Sequence, residues 1–194
     1  MSDRTAKIER KTNETDVSLG INLDGAGRYE IDTGIGFLDH MLTHLSKHSK
    51  IDLTVKAKGD LHVDAHHTVE DIAICLGQAI DDALGDKKGI TRYGHASVPM
   101  EESLANVSID LSGRSKFVYN VQYGTEKIGD FDVECLEEML TSFANNGKLN
   151  LHITVPYGTN SHHIAEAIFK ALGQALGMAV KITGKDIPST KGVL

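Results

Sequence analysis

The sequence predicts an internally duplicated α+β protein, each half running strand-strand-strand-helix-strand-helix. Three observations predict it. HHTVEDIAICLGQA at 66–79 aligns with HHIAEAIFKALGQA at 162–175, at a constant offset of 96 that matches both histidines, a glutamate and a Leu-Gly-Gln-Ala run. INLDG (21–25) resembles IDLSG (109–113), and LDHMLT (38–43) resembles LEEMLT (136–141), at offsets of 88 and 98. Strand-like and helix-like patterns also follow in the same order in both parts. The expected organisation is one domain over 1–194 built from two pseudo-repeats, about 1–90 and 91–194, with a sheet on one side and helices on the other.

The elements follow from their patterns. DVSLGINL and NVSIDLSG alternate polar and apolar residues and end in a Gly turn, as half-buried strands do. GFLDHMLTHLSKH puts Phe37, Leu38, Met41, Leu42 and Leu45 on one helical face. IDLTVKA and LNLHITV alternate again as the next strand of each half, and each His-His segment closes its half as a helix with an Ile/Leu/Ala stripe. The drift in offset requires an insertion in the second half. QYGTEKIGDF, punctuated by glycine, reads as that insertion and as a loop.

Composition excludes several classes. The 194 residues carry a net charge of −7, so no basic stripe serves a nucleic-acid backbone. The polar opening MSDRTAKIERKTNETD lacks the apolar centre of a signal peptide, and no apolar run reaches membrane-spanning length. Cys75 and Cys135 sit among apolar residues and read as two buried thiols of a reduced, cytoplasmic protein.

Ten histidines are the unusual feature of the composition. Residues four apart share a helix face while neighbours diverge, so His66 and Glu70 can chelate one cation and His67 points elsewhere. His162, Glu166 and His163 repeat the arrangement. His40, His44 and His48 are spaced by four, opposite the apolar stripe of their helix. The offset of 98 sets Glu138 where His40 stands, and carboxylate substitutes for imidazole as a ligand. The candidate metal set is therefore His40, His66, His67, Glu70, Glu138, His162, His163 and Glu166. Such N/O ligands suit Mn, Fe, Co, Ni or Zn better than Ca or Mg. A solvated polar cluster is the alternative, but helix starts favour acids, which leaves the duplicated imidazoles unexplained. His62, His95 and His152 read as strand or core histidines. For an anionic substrate the chain offers Arg92 in GITRYG, Arg114 in DLSGR, and Ser189, Thr190 and Lys191 in the tail IPSTKGVL.

FLDHML, GDLHVDAHHTVEDIA, GITRYG, DLSGR, NSHHIAEAIFKA and PSTKGVL together resemble the imidazoleglycerol-phosphate dehydratases of histidine biosynthesis over nearly the whole chain, in their monofunctional form. The resemblance implies a fold like ribosomal protein S5 domain 2, two Mn ions per active site, and a 24-subunit cage with sites between subunits. It implies substrate contacts from Glu14, His40, His44, His48, Arg92, Arg114, Lys170, Ser189, Thr190 and Lys191. The implied reaction removes water from the glycerol arm of imidazole glycerol phosphate through a metal-bound imidazolate and a diazafulvene-like intermediate, giving imidazole acetol phosphate. Carboxylates must move the protons. Glu14 is the first choice, paired by the repeat with Glu102, and Glu70 and Glu166 are the other candidates. At Glu138 the chain departs from the resemblance, since family members often carry histidine there. A metal-dependent hydrolase would use similar ligands, and a metal-storage cage would use the ligands without the arginines and the tail.

Overall fold

The computed structural model describes residues 4–194; the first three residues of the polar opening lie outside it. The first half contains β1 (Thr5–Lys11), β2 (Thr15–Asn22), β3 (Tyr29–Asp32), α1 (Gly36–Ser49), β4 (Asp52–Gly59) and α2 (His66–Leu84). The second contains β5 (Tyr93–Met100), β6 (Ser103–Asp110), β7 (Lys116–Asn120), β8 (Lys127–Ile128), β9 (Phe131–Asp132), α3 (Glu134–Asn146), β10 (Asn150–Tyr157) and α4 (Ser161–Ala179). The sheets have the same topology, β1-β2-β4-β3 and β5-β6-β10-β7. In each, the third strand of the half runs parallel to the fourth and the other pairings are antiparallel.

Alternation decides the faces. In β2, Val17, Leu19 and Ile21 are buried while Asp16 is exposed, and β6 buries Ala105, Val107 and Ile109 in the same way. Leu38, Met41, Leu42 and Leu45 form the buried stripe of α1, as the heptad-like spacing predicts, with Phe37 half-buried beside it. Cys75 and Cys135 are free and buried, and burial pushes each thiol up to about 11.

Each helix packs on its own sheet and also across the duplication, α1 on α4 and α2 on α3. The repeated Leu-Gly-Gln-Ala run explains the closeness of these crossings. A Cβ at Gly77 would lie 2.7 Å from the Phe143 carbonyl oxygen of α3, and one at Gly173 would lie 2.9 Å from the Leu45 carbonyl oxygen of α1. Only glycine lets the two backbones approach so nearly. One hydrophobic core therefore runs through both halves, including Leu42, Ile72, Phe143 and Phe169.

Two expectations are corrected. The 122–131 insertion is not wholly loop: β8 and β9 pair across Gly129-Asp130, with Gly129 at φ 59°, a left-handed residue suited to a two-residue hairpin turn. His95 and His152 do lie on strands, but they are exposed, flanking Ser108 on the outer face of the second sheet; His62 is exposed in a turn. None of the three belongs to the core.

Candidate metal centre and active site

The crossing of α1 over α4 brings together residues from opposite halves. His40 Nε2 lies 2.9 Å from Glu166 Oε1, and His162 Nε2 lies 3.0 Å from the same oxygen. These three donor atoms are within 4.8 Å of one another and form a group able to hold a cation. His44 Nε2 is 3.2 Å from His40 Nε2 and 3.5 Å from Glu166 Oε2. Lys170, one turn further along α4, donates to Glu166 Oε2 at 2.6 Å.

Electrostatics fit a cation site. Burial alone pushes the Glu166 carboxyl up, but Lys170, His40 and His162 outweigh it and hold the group well below the usual carboxylate range. His44 is pushed down to about 4, chiefly by burial. Burial lowers His48 as well. Two imidazoles and an ionised carboxylate converging on one point are a donor set suited to transition cations.

The helix starts fix the paired histidines. Asn160 caps α4, its Oδ1 accepting from the backbone N–H groups of His162 and His163; Asp64 accepts from the N–H of His66 in the equivalent place. The two rings of each pair diverge as expected, with planes 84° apart in His66–His67 and 86° apart in His162–His163. His163 Nδ1 faces Glu102 Oε2 at 2.7 Å, and His67 Nδ1 faces Asp60 Oδ2 at 3.0 Å and Glu14 Oε2 at 3.9 Å.

Not every nominated residue joins this cluster. His66, Glu70 and Glu138 are half-buried on the packed pair α2 and α3, yet among the described residues no second three-ligand group forms. Glu138 Oε1 instead accepts from Ser142 Oγ at 3.3 Å. Asp60 and Glu102 are contacts that spacing did not reveal as partners of the histidines. The offset of 88 named Glu102 only as the equivalent of Glu14.

The residues nominated for an anion lie elsewhere. The backbone N–H of Arg92 bonds to Ala179 O, at the end of α4 opposite His162. Its guanidinium is held by Asp110 at 2.7 Å and by the Pro188 carbonyl at 2.8 Å, which anchors the tail carrying Ser189, Thr190 and Lys191. Arg114 is exposed near the start of β10, where its carbonyl accepts from Asn150. From His162 to Ala179 the helix rises roughly 25 Å, so the triad and the cationic end are well separated within one chain.

A family model described as imidazoleglycerol-phosphate dehydratase matches residues 33–176. This chain belongs to the imidazoleglycerol-phosphate dehydratase family. An imidazoleglycerol-phosphate dehydratase from Rhodopirellula baltica is 55% identical over 195 residues, covering 100% of this chain and 96% of the relative. One from Geobacillus kaustophilus is 54% identical, covering 98% and 99%. The crystal structure of the dehydratase from Staphylococcus aureus superposes with a TM-score of 0.85 at 40% identity, covering 92% of this chain and 99% of that one. The structure from Pyrococcus furiosus gives 0.84 at 37%, covering 96% and 100%. The duplicated α+β fold is thus the fold of this dehydratase family.

Proposed function

We propose that the protein is a hydro-lyase of histidine biosynthesis, dehydrating imidazole glycerol phosphate to imidazole acetol phosphate in the cytoplasm with Mn as its metal. The observation that carries this reading is the convergence of His40, His162 and Glu166 in a chain alike over its full length to dehydratases. His40, His162 and Glu166 would hold one ion. His66, Glu70 and Glu138, related to them by the duplication, would supply ligands for the second. The diverging His67 and His163 would complete sites on neighbouring copies.

When bound, the cations supply Lewis-acid withdrawal from the substrate's imidazole. The chain's own groups do the rest. The product carries its carbonyl next to the phosphate-bearing carbon, so the hydroxyl leaves from the carbon attached to the ring and the proton leaves from its neighbour. The resulting enol then takes a proton at the ring-side carbon and becomes the ketone. Glu14 is exposed, with His67 Nδ1 3.9 Å from its carboxylate, and it is our choice for moving the carbon proton. Glu166, held ionised by Lys170, suits a ligand rather than a proton carrier, and Glu70, on the same helix as His66 and His67, is the remaining candidate. His44, His48 and Lys170 line the same side of the α1–α4 crossing and would orient the ring and arm.

The phosphate is assigned to Arg114 with Ser189, Thr190 and Lys191, Arg92 acting by holding the tail in place. A three-carbon arm spans only roughly 6 Å between ring and phosphate oxygen. The roughly 25 Å between the ends of α4 is far longer. This supports sites built from the triad of one copy and the cationic end of another, as in the 24-subunit cage the family resemblance implies. A metal-storage role would leave Arg114 and the tail without purpose. The test is to incubate Mn-loaded protein with imidazole glycerol phosphate and assay imidazole acetol phosphate. Turnover that chelation removes and Mn restores is expected; no product from the Mn-loaded protein would overturn the reading.

A further inference from the structure

The duplication sets Glu14 and Glu102 at equivalent positions, but their side chains do different things. Glu102 Oε2 is 2.7 Å from His163 Nδ1. Its other oxygen accepts from Ser103 Oγ at 3.0 Å, from the Thr159 N–H at 3.1 Å and from the Asn160 N–H at 2.8 Å. Glu102 thereby clamps the β5–β6 turn to the start of α4. Glu14 makes no such clamp: its carboxylate stands 3.9 Å from His67 Nδ1 and its side chain is 54% exposed. In the first half the segment between the fourth strand and the paired histidines is longer, and it inserts Asp60, whose Oδ2 takes His67 Nδ1 at 3.0 Å.

Both second histidines are therefore held through Nδ1 by a carboxylate, leaving Nε2 as the free ring nitrogen. A carboxylate on one ring nitrogen fixes the tautomer and the ring orientation and makes the other nitrogen a better ligand. Asp60 carries a further signal. Among the described residues its Oδ1 is buried without a hydrogen-bond partner, and the histidine is the one side chain bonded to its carboxylate. A carboxylate retained merely to stabilise the fold would be expected to satisfy both oxygens, as Glu102 does.

We propose that Asp60 and Glu102 are the positioning residues of His67 and His163, and that Asp60, by taking over His67, releases Glu14 from the duty its duplicate still performs. This rests on the metal-dependent dehydratase reading above. It makes two residues at one repeat position differ in kind: Glu102 serves ligand geometry and Glu14 serves proton transfer.

The experiment titrates Mn into metal-free full-length wild type, Asp60→Asn, Glu102→Gln and Glu14→Gln, following free Mn by its electron paramagnetic resonance signal. Asp60→Asn and Glu102→Gln are each expected to weaken one class of Mn site by about 10- to 100-fold. The melting temperature of metal-free Asp60→Asn should stay unchanged, whereas Glu102→Gln should also lower it, because Glu102 clamps the β5–β6 turn to α4. Glu14→Gln should bind Mn as wild type does and lose turnover at saturating Mn. Wild-type Mn affinity in a folded Asp60→Asn or Glu102→Gln, or a melting temperature lowered without a change in affinity, overturns the proposal. If one variant fails to fold, the other carries the test. A wild-type protein that binds no Mn would sink the underlying metal reading instead, which keeps the two failures apart.

Discussion

The two halves share strand order and helix crossings, yet they treat the turn after the second strand of each in opposite ways. In the first half Asp52 on β4 faces Asn22; in the second half Asn150 on β10 faces Asp110, so the acid has changed strands. Asp52 accepts from the N–H groups of Ala26 and Arg28 and from the Arg28 guanidinium, which closes the turn. Asp110 faces the other way and grips Arg92, while Asn150 donates to Ser112 and to the Arg114 carbonyl. Among the described residues no carboxylate pairs with the side chain of Arg114. One half has used its acid to lock a turn, and the other has used it to anchor a tail and leave a cation open. Duplication has kept the scaffold and let the charges diverge where the site needs them.

The widest separation between the halves is expected at the metal ligands. Glu166→Gln removes the charge on which His40, His162 and Lys170 converge, and should weaken the corresponding Mn site by about 100-fold or more. Glu138→Ala should weaken the other class of site only. Equilibrium dialysis with metal analysis resolves the two classes; a Glu138→Ala protein with two tight Mn and normal turnover would remove Glu138 from the ligand set. Next comes the open cation. Arg114→Ala should raise KM for the phosphate substrate about 10- to 100-fold while metal content stays constant. Arg28→Ala, in the pinned turn of the other half, should leave KM alone. Equal effects in the two variants would break the contrast.

The smallest effect tests the pinned turn itself. Burial raises the Asp52 carboxyl, but the bonds from Arg28 and Ala26 dominate and bring it down to about 2. A carboxyl depressed in the folded state stabilises above its unfolded value near 3.9 and loses that contribution as pH falls through about 2. Asp52→Asn should therefore cost about 0.5–1 kcal/mol near neutrality, and the gap from wild type should close between pH 4 and about 2. Chemical denaturation of both proteins across that range measures it. A gap independent of pH would show that charge is not what closes the turn.

Much of this was legible because periodicity and repetition are properties of the chain itself. The offset of 96 placed both helix starts, and the stripe of α1 followed from Leu38, Met41, Leu42 and Leu45. The triad was nominated residue by residue, but the crosswise meeting of His40 with His162 and Glu166 was not foreseen, because helix pairing across halves depends on Gly77 and Gly173 admitting a neighbouring backbone. Asp60 escaped for a related reason: it has no repeat partner and lies outside any helical spacing with His67, so only the folded loop brings them together. Arg92 shows the opposite limit. Its sequence neighbourhood suggested a free cation, whereas Asp110, distant in sequence and adjacent across the β5–β6 pair, already holds it.

The length of α4 has a genetic consequence. If each site takes its triad from one copy and its phosphate grip from another, a chain damaged at His162 and a chain damaged at Arg114 are each crippled at every site when alone. Co-expressed, they would assemble hybrid particles in which about a quarter of the sites, by random mixing, draw both intact ends. Two defective alleles would then complement each other, and the helix that separates the two ends within one polypeptide would make activity a property of neighbours rather than of the individual gene product.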